Sequence, residues 1–137
     1  MPAEWAPHER TIMGWPCRRE LWGDQLSHAK ADYAATANAV AAFEPLTMIC
    51  ADAQDAAEAR AALTGDVEVV ELAIDDSWLR DSGPIFVLDE EGRRAGVHFG
   101  FNSWGAHSAG IRKPSAAGVL SAAPSASGCA PPGARRR

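Results

Sequence analysis

The chain is short of several things, and each shortage removes a class of protein. No stretch approaches 18 consecutive apolar residues, so there is no candidate membrane span. The start, Met1-Pro2-Ala3-Glu4-Trp5, has no basic region leading into an apolar one, so no secretion signal of the usual form is expected. Cysteine is scarce and odd in number: Cys17, Cys50 and Cys129 share no metal-type spacing, which argues against a disulfide framework and a zinc site. His8, His28, His98 and His107 show no ligand spacing either, and each is expected on the surface or satisfied in the core. Positive charge is also in short supply. A net charge of -5 offers nothing global to nucleic acid or to an anionic membrane surface. The expectation is a cytoplasmic protein with reduced thiols and no zinc site.

What remains is the composition of a soluble globular chain, 47% hydrophobic and 23% charged, long enough at 137 residues for one modest domain. Its charge is unevenly placed. Residues 1–105 hold all 18 acids and 8 of the 13 bases, a balance of -10, whereas residues 106–137 hold five bases and no acid. Of those last 32 residues, 22 are Ala, Ser, Gly or Pro, without period or aromatics. Such a segment buries too little apolar area to offset its ordering entropy, so disorder is expected there. It reads either as a natural low-complexity tail or as a frame-shifted continuation in a GC-rich gene.

Within residues 1–105 the pattern is α/β. Thr11 to Trp15 is a short apolar run closed by Pro16, readable as a strand. Leu26 to Phe43 carries an approximate helical stripe (Tyr33, Ala37, Val40, Ala41, Phe43), with Ser27 as N-cap and Pro45 as stop. Leu46 to Cys50 is a continuous apolar strand; Asp52 caps a second helix to about Leu63, with Gly65 at its C-cap. Val67 to Leu72, Ile85 to Leu88 and Ala95 to Phe101 are further strands, the last two joined by an Asp89-Glu90-Glu91-Gly92 hairpin loop. Mixed pairing is expected, with the two helices on one or both faces of a sheet.

One segment stands apart chemically. Asp75-Asp76-Ser77-Trp78-Leu79-Arg80-Asp81 packs three carboxylates, a guanidinium and an indole into seven residues, then ends in Ser82-Gly83-Pro84. A carboxylate accepts two parallel hydrogen bonds from a guanidinium, and an indole suits an aliphatic chain or a cation. Asp81 is therefore the leading site candidate, with Trp78 beside it and Asp75 and Asp76 as a second carboxylate pair. The competing reading is turn chemistry: Asp81 pairing with a neighbouring base, Asp75-Asp76-Ser77 bonding its own backbone, Trp78 in a core. Arg80 is expected to be structural, and Cys17 and Cys50 to be inert thiols.

Two blocks, Met1 to Thr11 with Met13, Trp15 and Pro16, and Asp75 to Pro84 with Phe101-Asn102-Ser103-Trp104-Gly105, resemble the amino-terminal part of the agmatine deiminases, in the family of bacterial-type peptidylarginine deiminases. The resemblance covers residues 1–105 and implies an incomplete pentein-type α/β propeller of pseudo-repeated ββαβ modules. It implies a cofactor-free hydrolase in which a cysteine attacks a guanidinium carbon. Agmatine would yield N-carbamoylputrescine and ammonia, on the route to putrescine. Asp81 matches a carboxylate that clamps the guanidinium and Trp78 an aromatic along the substrate's methylenes. The family's histidine, second carboxylate and nucleophilic cysteine have no counterparts here, and Cys129 lacks the Asn-x-His context. A truncated, inactive piece of an enzyme is therefore expected, with a guanidinium-binding module or a poorly folded product as alternatives. Full-length members are often homo-oligomers.

Overall fold

A computed structural model describes residue 3, residues 5–97 and residue 101. Three parallel strands form its centre: β1 (Thr11–Gly14), β2 (Leu46–Cys50) and β3 (Val67–Glu71), in the order β1-β2-β3. Every residue of β2 is buried, as a continuous apolar run in the middle of a parallel sheet requires. Its one hydroxyl is satisfied, because Arg10 Nη1 donates to Thr47 Oγ1 at 2.7 Å and to Glu68 Oε2 at 2.6 Å.

Period-two alternation along β2 builds two unlike faces. Leu46, Met48 and Cys50 join Trp15 and the alanines Ala34, Ala37, Ala56 and Ala59 in the main core. Those alanines belong to α2 (Leu26–Ala41) and α3 (Ala53–Ala62), so both crossover helices cover the same face. Lys30 links them, donating to Asp55 Oδ1 at 2.8 Å and Glu58 Oε2 at 2.5 Å. The other face buries Ile49 with Ile74, flanked by Ile12, Leu72 and Leu79. The chemically distinctive segment thus supplies part of the second core.

Several boundaries differ from expectation. A one-turn helix, α1 (Arg19–Trp22), and a 3-10 turn over Gly23–Gln25 lead straight into α2. Gln25 occupies the cap position with helical dihedrals and no side-chain bond, so Ser27 lies inside the first turn and caps nothing. Phe43 falls past the helix and is 91% exposed, outside the stripe assigned to it. Asp52 does cap α3, its carboxylate accepting from Asp55 N–H at 2.8 Å. Gly65 is not at the C-cap, which is Leu63; it sits two residues on in the turn into β3. Asn38 of α2 makes a glycine cap unnecessary: its amide donates to Ala62 O (3.2 Å) and accepts from Thr64 N–H (2.8 Å).

The last two strands, β4 (Ile85–Leu88) and β5 (Arg94–Val97), pair antiparallel as a separate two-stranded sheet. Mixed pairing is thereby realised as two sheets. The Asp89 carboxylate closes the hairpin by accepting from Arg93 N–H (2.7 Å) and Nε (2.6 Å). Arg94 pairs with Glu9, which attaches the hairpin to the body, and within the hairpin it lies 5.9 Å from the Phe86 ring centre. Residues 98–100 of the expected last strand, and the segment 106–137, lie outside the described residues.

Candidate functional site

The chain leaves β1, β2 and β3 at the same end of the parallel sheet, the end where α/β folds gather their ligand-binding loops. Cys17, Arg18 and Glu20 follow β1, Asp52 and Asp55 follow β2, and Ile74 and Asp75 follow β3. Together they line a pocket of about 190 Å³. Asp75 is thus on a pocket wall. Asp76 is half-buried, and its Oδ1 accepts from Ser77 N–H at 2.8 Å, the self-bonding turn weighed above. Burial pushes the Asp76 carboxyl above the ordinary aspartate range, against the Ser77 amide and the Arg18 charge, which pull it down.

Asp81 and Trp78 sit elsewhere. Leu79–Ser82 forms a single helical turn, α4, with Trp78 at its cap position. Trp78 is 44% exposed, so it is not the core tryptophan; Trp15, at 2%, fills that role. The Trp78 carbonyl accepts from the N–H of Asp81 (3.2 Å), the N–H of Ser82 (3.1 Å) and Ser82 Oγ (2.9 Å). The turn therefore presents an indole and, three residues on, an exposed carboxylate. Arg80 is exposed beside them. Neither Trp78 nor Asp81 lines the pocket that holds Asp75.

Gly83 closes α4, its N–H donating to Leu79 O at 2.8 Å. A Cβ at Gly83 would stand 2.4 Å from that same oxygen, so no side chain fits without breaking the cap. Gly83→Ala is expected to cost about 1–3 kcal/mol and to speed amide exchange at Ser82. A variant with the wild-type urea midpoint would contradict this packing.

Sequence reasoning missed α4 and the pocket walls at Arg18 and Glu20. Four residues are too few to show a helical period, and the pocket exists only because parallel pairing brings separate loops together. The thiol expectation holds at both described positions. Burial, aided by the Asp55 charge, raises Cys17 to about 12, and its Sγ lies 3.7 Å from Ile74 O. Cys50 is fully buried and likewise raised to about 12. Thiolate is the reactive form. Peptide mapping after iodoacetamide treatment at about pH 8, below the ordinary thiol range, should find both unmodified in the folded chain and both modified in urea. Cys129 lies outside the described residues. Among the described residues, no group of three or more His, Cys, Asp or Glu could hold a metal, and no helix is long and apolar enough to cross a membrane.

The parallel sheet with both helices on one face, followed by an acidic turn and a hairpin, is the opening part of a pentein-type α/β fold. It matches the agmatine deiminase of Enterococcus faecalis with a TM-score of 0.71 at 33% identity, covering 77% of this chain and 28% of that one. It also matches an agmatine deiminase of C. jejuni with a TM-score of 0.64 at 26% identity, covering 73% and 31%. The family model of the Porphyromonas-type peptidyl-arginine deiminases matches residues 1–124, and the chain belongs to that family. Among curated relatives, agmatine deiminase of Stutzerimonas stutzeri is 49% identical over 112 residues, 81% of this chain and 30% of the relative. Agmatine deiminase of Pseudomonas aeruginosa (strain LESB58) is 49% identical over 115 residues, 83% and 31%. The chain thus spans about 30% of the length of the curated relatives it matches.

Proposed function

We propose that the Trp78–Asp81 turn is a guanidinium-binding segment of an agmatine-hydrolysing enzyme. Asp81 takes the guanidinium in a paired, charge-assisted contact and Trp78 packs along the methylene chain. One observation carries this reading: an exposed indole and an exposed carboxylate occupy the same helical turn. The agmatine deiminase names of the relatives support the choice of guanidinium compound. The reaction is hydrolysis of agmatine to N-carbamoylputrescine and ammonia, a cytoplasmic step on the way to putrescine.

A guanidinium is a poor electrophile because resonance spreads its charge, so a clamp must orient its carbon toward a thiolate and hold the charge. Asp81 does the holding. Neither the half-buried Cys17 nor the buried Cys50 supplies the thiolate, since both thiols are raised to about 12. The 137 residues alone are therefore expected to bind agmatine without releasing ammonia.

The test is a titration of the purified chain with agmatine, followed through the Trp78 indole resonance, beside an ammonia assay. No perturbation of that indole at any agmatine concentration would sink the reading, and ammonia release would overturn the assignment of the cysteines. The family's own description favours a second substrate class, peptidyl-arginine. An acylated arginine amide that bound more tightly than agmatine would decide for it.

A further inference from the structure

We infer that Tyr33, on α2, is a positioning residue for the Trp78–Asp81 turn, acting through the hydroxyl of Ser77; the inference rests on that turn being the guanidinium clamp. Ser77 is buried, and four contacts converge on it. Its N–H donates to Asp76 Oδ1 at 2.8 Å. Its carbonyl accepts from Leu79 N–H at 2.9 Å, so the start of α4 hangs on Ser77 directly. Strand β1 abuts its backbone: a Cβ on Gly14 would lie 3.1 Å from Ser77 Cα and 3.3 Å from Ser77 O. Finally, Ser77 Oγ and Tyr33 Oη lie 3.0 Å apart, a hydrogen bond spanning 44 residues of sequence.

The first two contacts are local and leave the segment free to move as a unit. The Gly14 contact limits approach to the sheet from one side only. The Tyr33 hydroxyl adds a directional tie to α2, a long helix packed on the main core and linked to α3 through Lys30. Without the Tyr33 hydroxyl, Ser77 Oγ is left with the neighbouring Asp76 carboxylate, which it also bonds, and turns toward it and its own backbone. Any such turn at Ser77 shifts the carbonyl that begins α4, and Trp78 and Asp81 lie within four residues of it. A paired carboxylate–guanidinium contact tolerates displacements of only about 0.5 Å. Tyr33 touches no substrate in this scheme; it holds the residue that aims the clamp.

The test uses the full 137-residue chain. Tyr33→Phe keeps the ring and removes only the hydroxyl. It is expected to speed amide exchange at Asp81, Ser82 and Gly83 about fivefold, the range of one net hydrogen bond. Agmatine affinity is expected to fall by a similar factor while the β2 amides exchange as in wild type. Ser77→Ala, which also removes the bond from Ser77 Oγ to Asp76, is expected to do at least as much, and the double variant no more than Ser77→Ala alone, since Tyr33 acts only through that hydroxyl. Unchanged exchange in α4 overturns the inference, as does equal loosening of β2, which would mark a general stability effect. Additive single effects overturn it too. If Tyr33→Phe does not fold, Ser77→Ala decides alone by the same readings. Asp81→Asn separates the two layers: intact agmatine binding in that variant refutes the clamp, while exchange at Asp81, Ser82 and Gly83 still judges Tyr33.

Discussion

Replacing Asp81 by Asn should weaken agmatine binding by about ten- to a hundredfold, with little change in the urea midpoint of the chain. A hydrogen bond to a charged group contributes about 1.5–3 kcal/mol, and each 1.4 kcal/mol is a factor of about ten in affinity. Asn preserves the shape of the side chain but replaces one acceptor oxygen with a donor, which then faces the donors of the guanidinium. Stability should be nearly untouched because the Asp81 side chain is exposed and its backbone N–H, which bonds to Trp78 O, is retained. Titration of both proteins side by side gives the ratio. Equal affinities would mean that agmatine, if bound, is held elsewhere, and Asp75 in the strand-end pocket would be the next candidate.

Met48→Ala should have the largest effect on folding, a loss of about 2–5 kcal/mol. Met48 is fully buried at the centre of the middle strand. The helix residues packed over it, Ala34, Ala37, Ala56 and Ala59, are too short to swing into the space it leaves. The cavity would therefore persist, and a domain of ordinary stability has only about 5–15 kcal/mol in reserve. Met48→Leu, which nearly conserves volume, should cost less than about 1.5 kcal/mol. Urea unfolding followed by far-ultraviolet circular dichroism distinguishes the two. Matching midpoints for the alanine and leucine variants would show that the core repacks around the void.

Composition and local pattern sufficed for several elements. Leu46–Cys50 and Ile85–Leu88 lie where their apolar runs place them, and Asp52 caps the helix it precedes. Those features depend on neighbours a few residues apart, so a short window contains their cause. The resemblance carried by Asp75–Pro84 and the opening segment pointed to the family for the same reason, since motif residues are contiguous.

Other features were decided at long range. Gly65 looked like a helix cap, but Asn38, on another helix, satisfies the end of α3. Phe43 looked like part of a buried stripe, yet the helix ends before it and it faces outward. The division of the acidic segment, with Asp75 on a pocket and Trp78 and Asp81 on a separate turn, depends on where β1 and α2 stand beside it. By itself the sequence determined the class of fold and the identity of most strands, and it singled out Trp78 and Asp81 as candidates. Tertiary structure alone decided that both crossover helices share one face, that Ile74 and Leu79, around the acidic segment, pack on the other, and that Tyr33 meets Ser77 across 44 residues. The reason is physical: side-chain chemistry and local propensity are properties of short windows, whereas faces and loop convergence are set by strand order and register between distant parts of the chain.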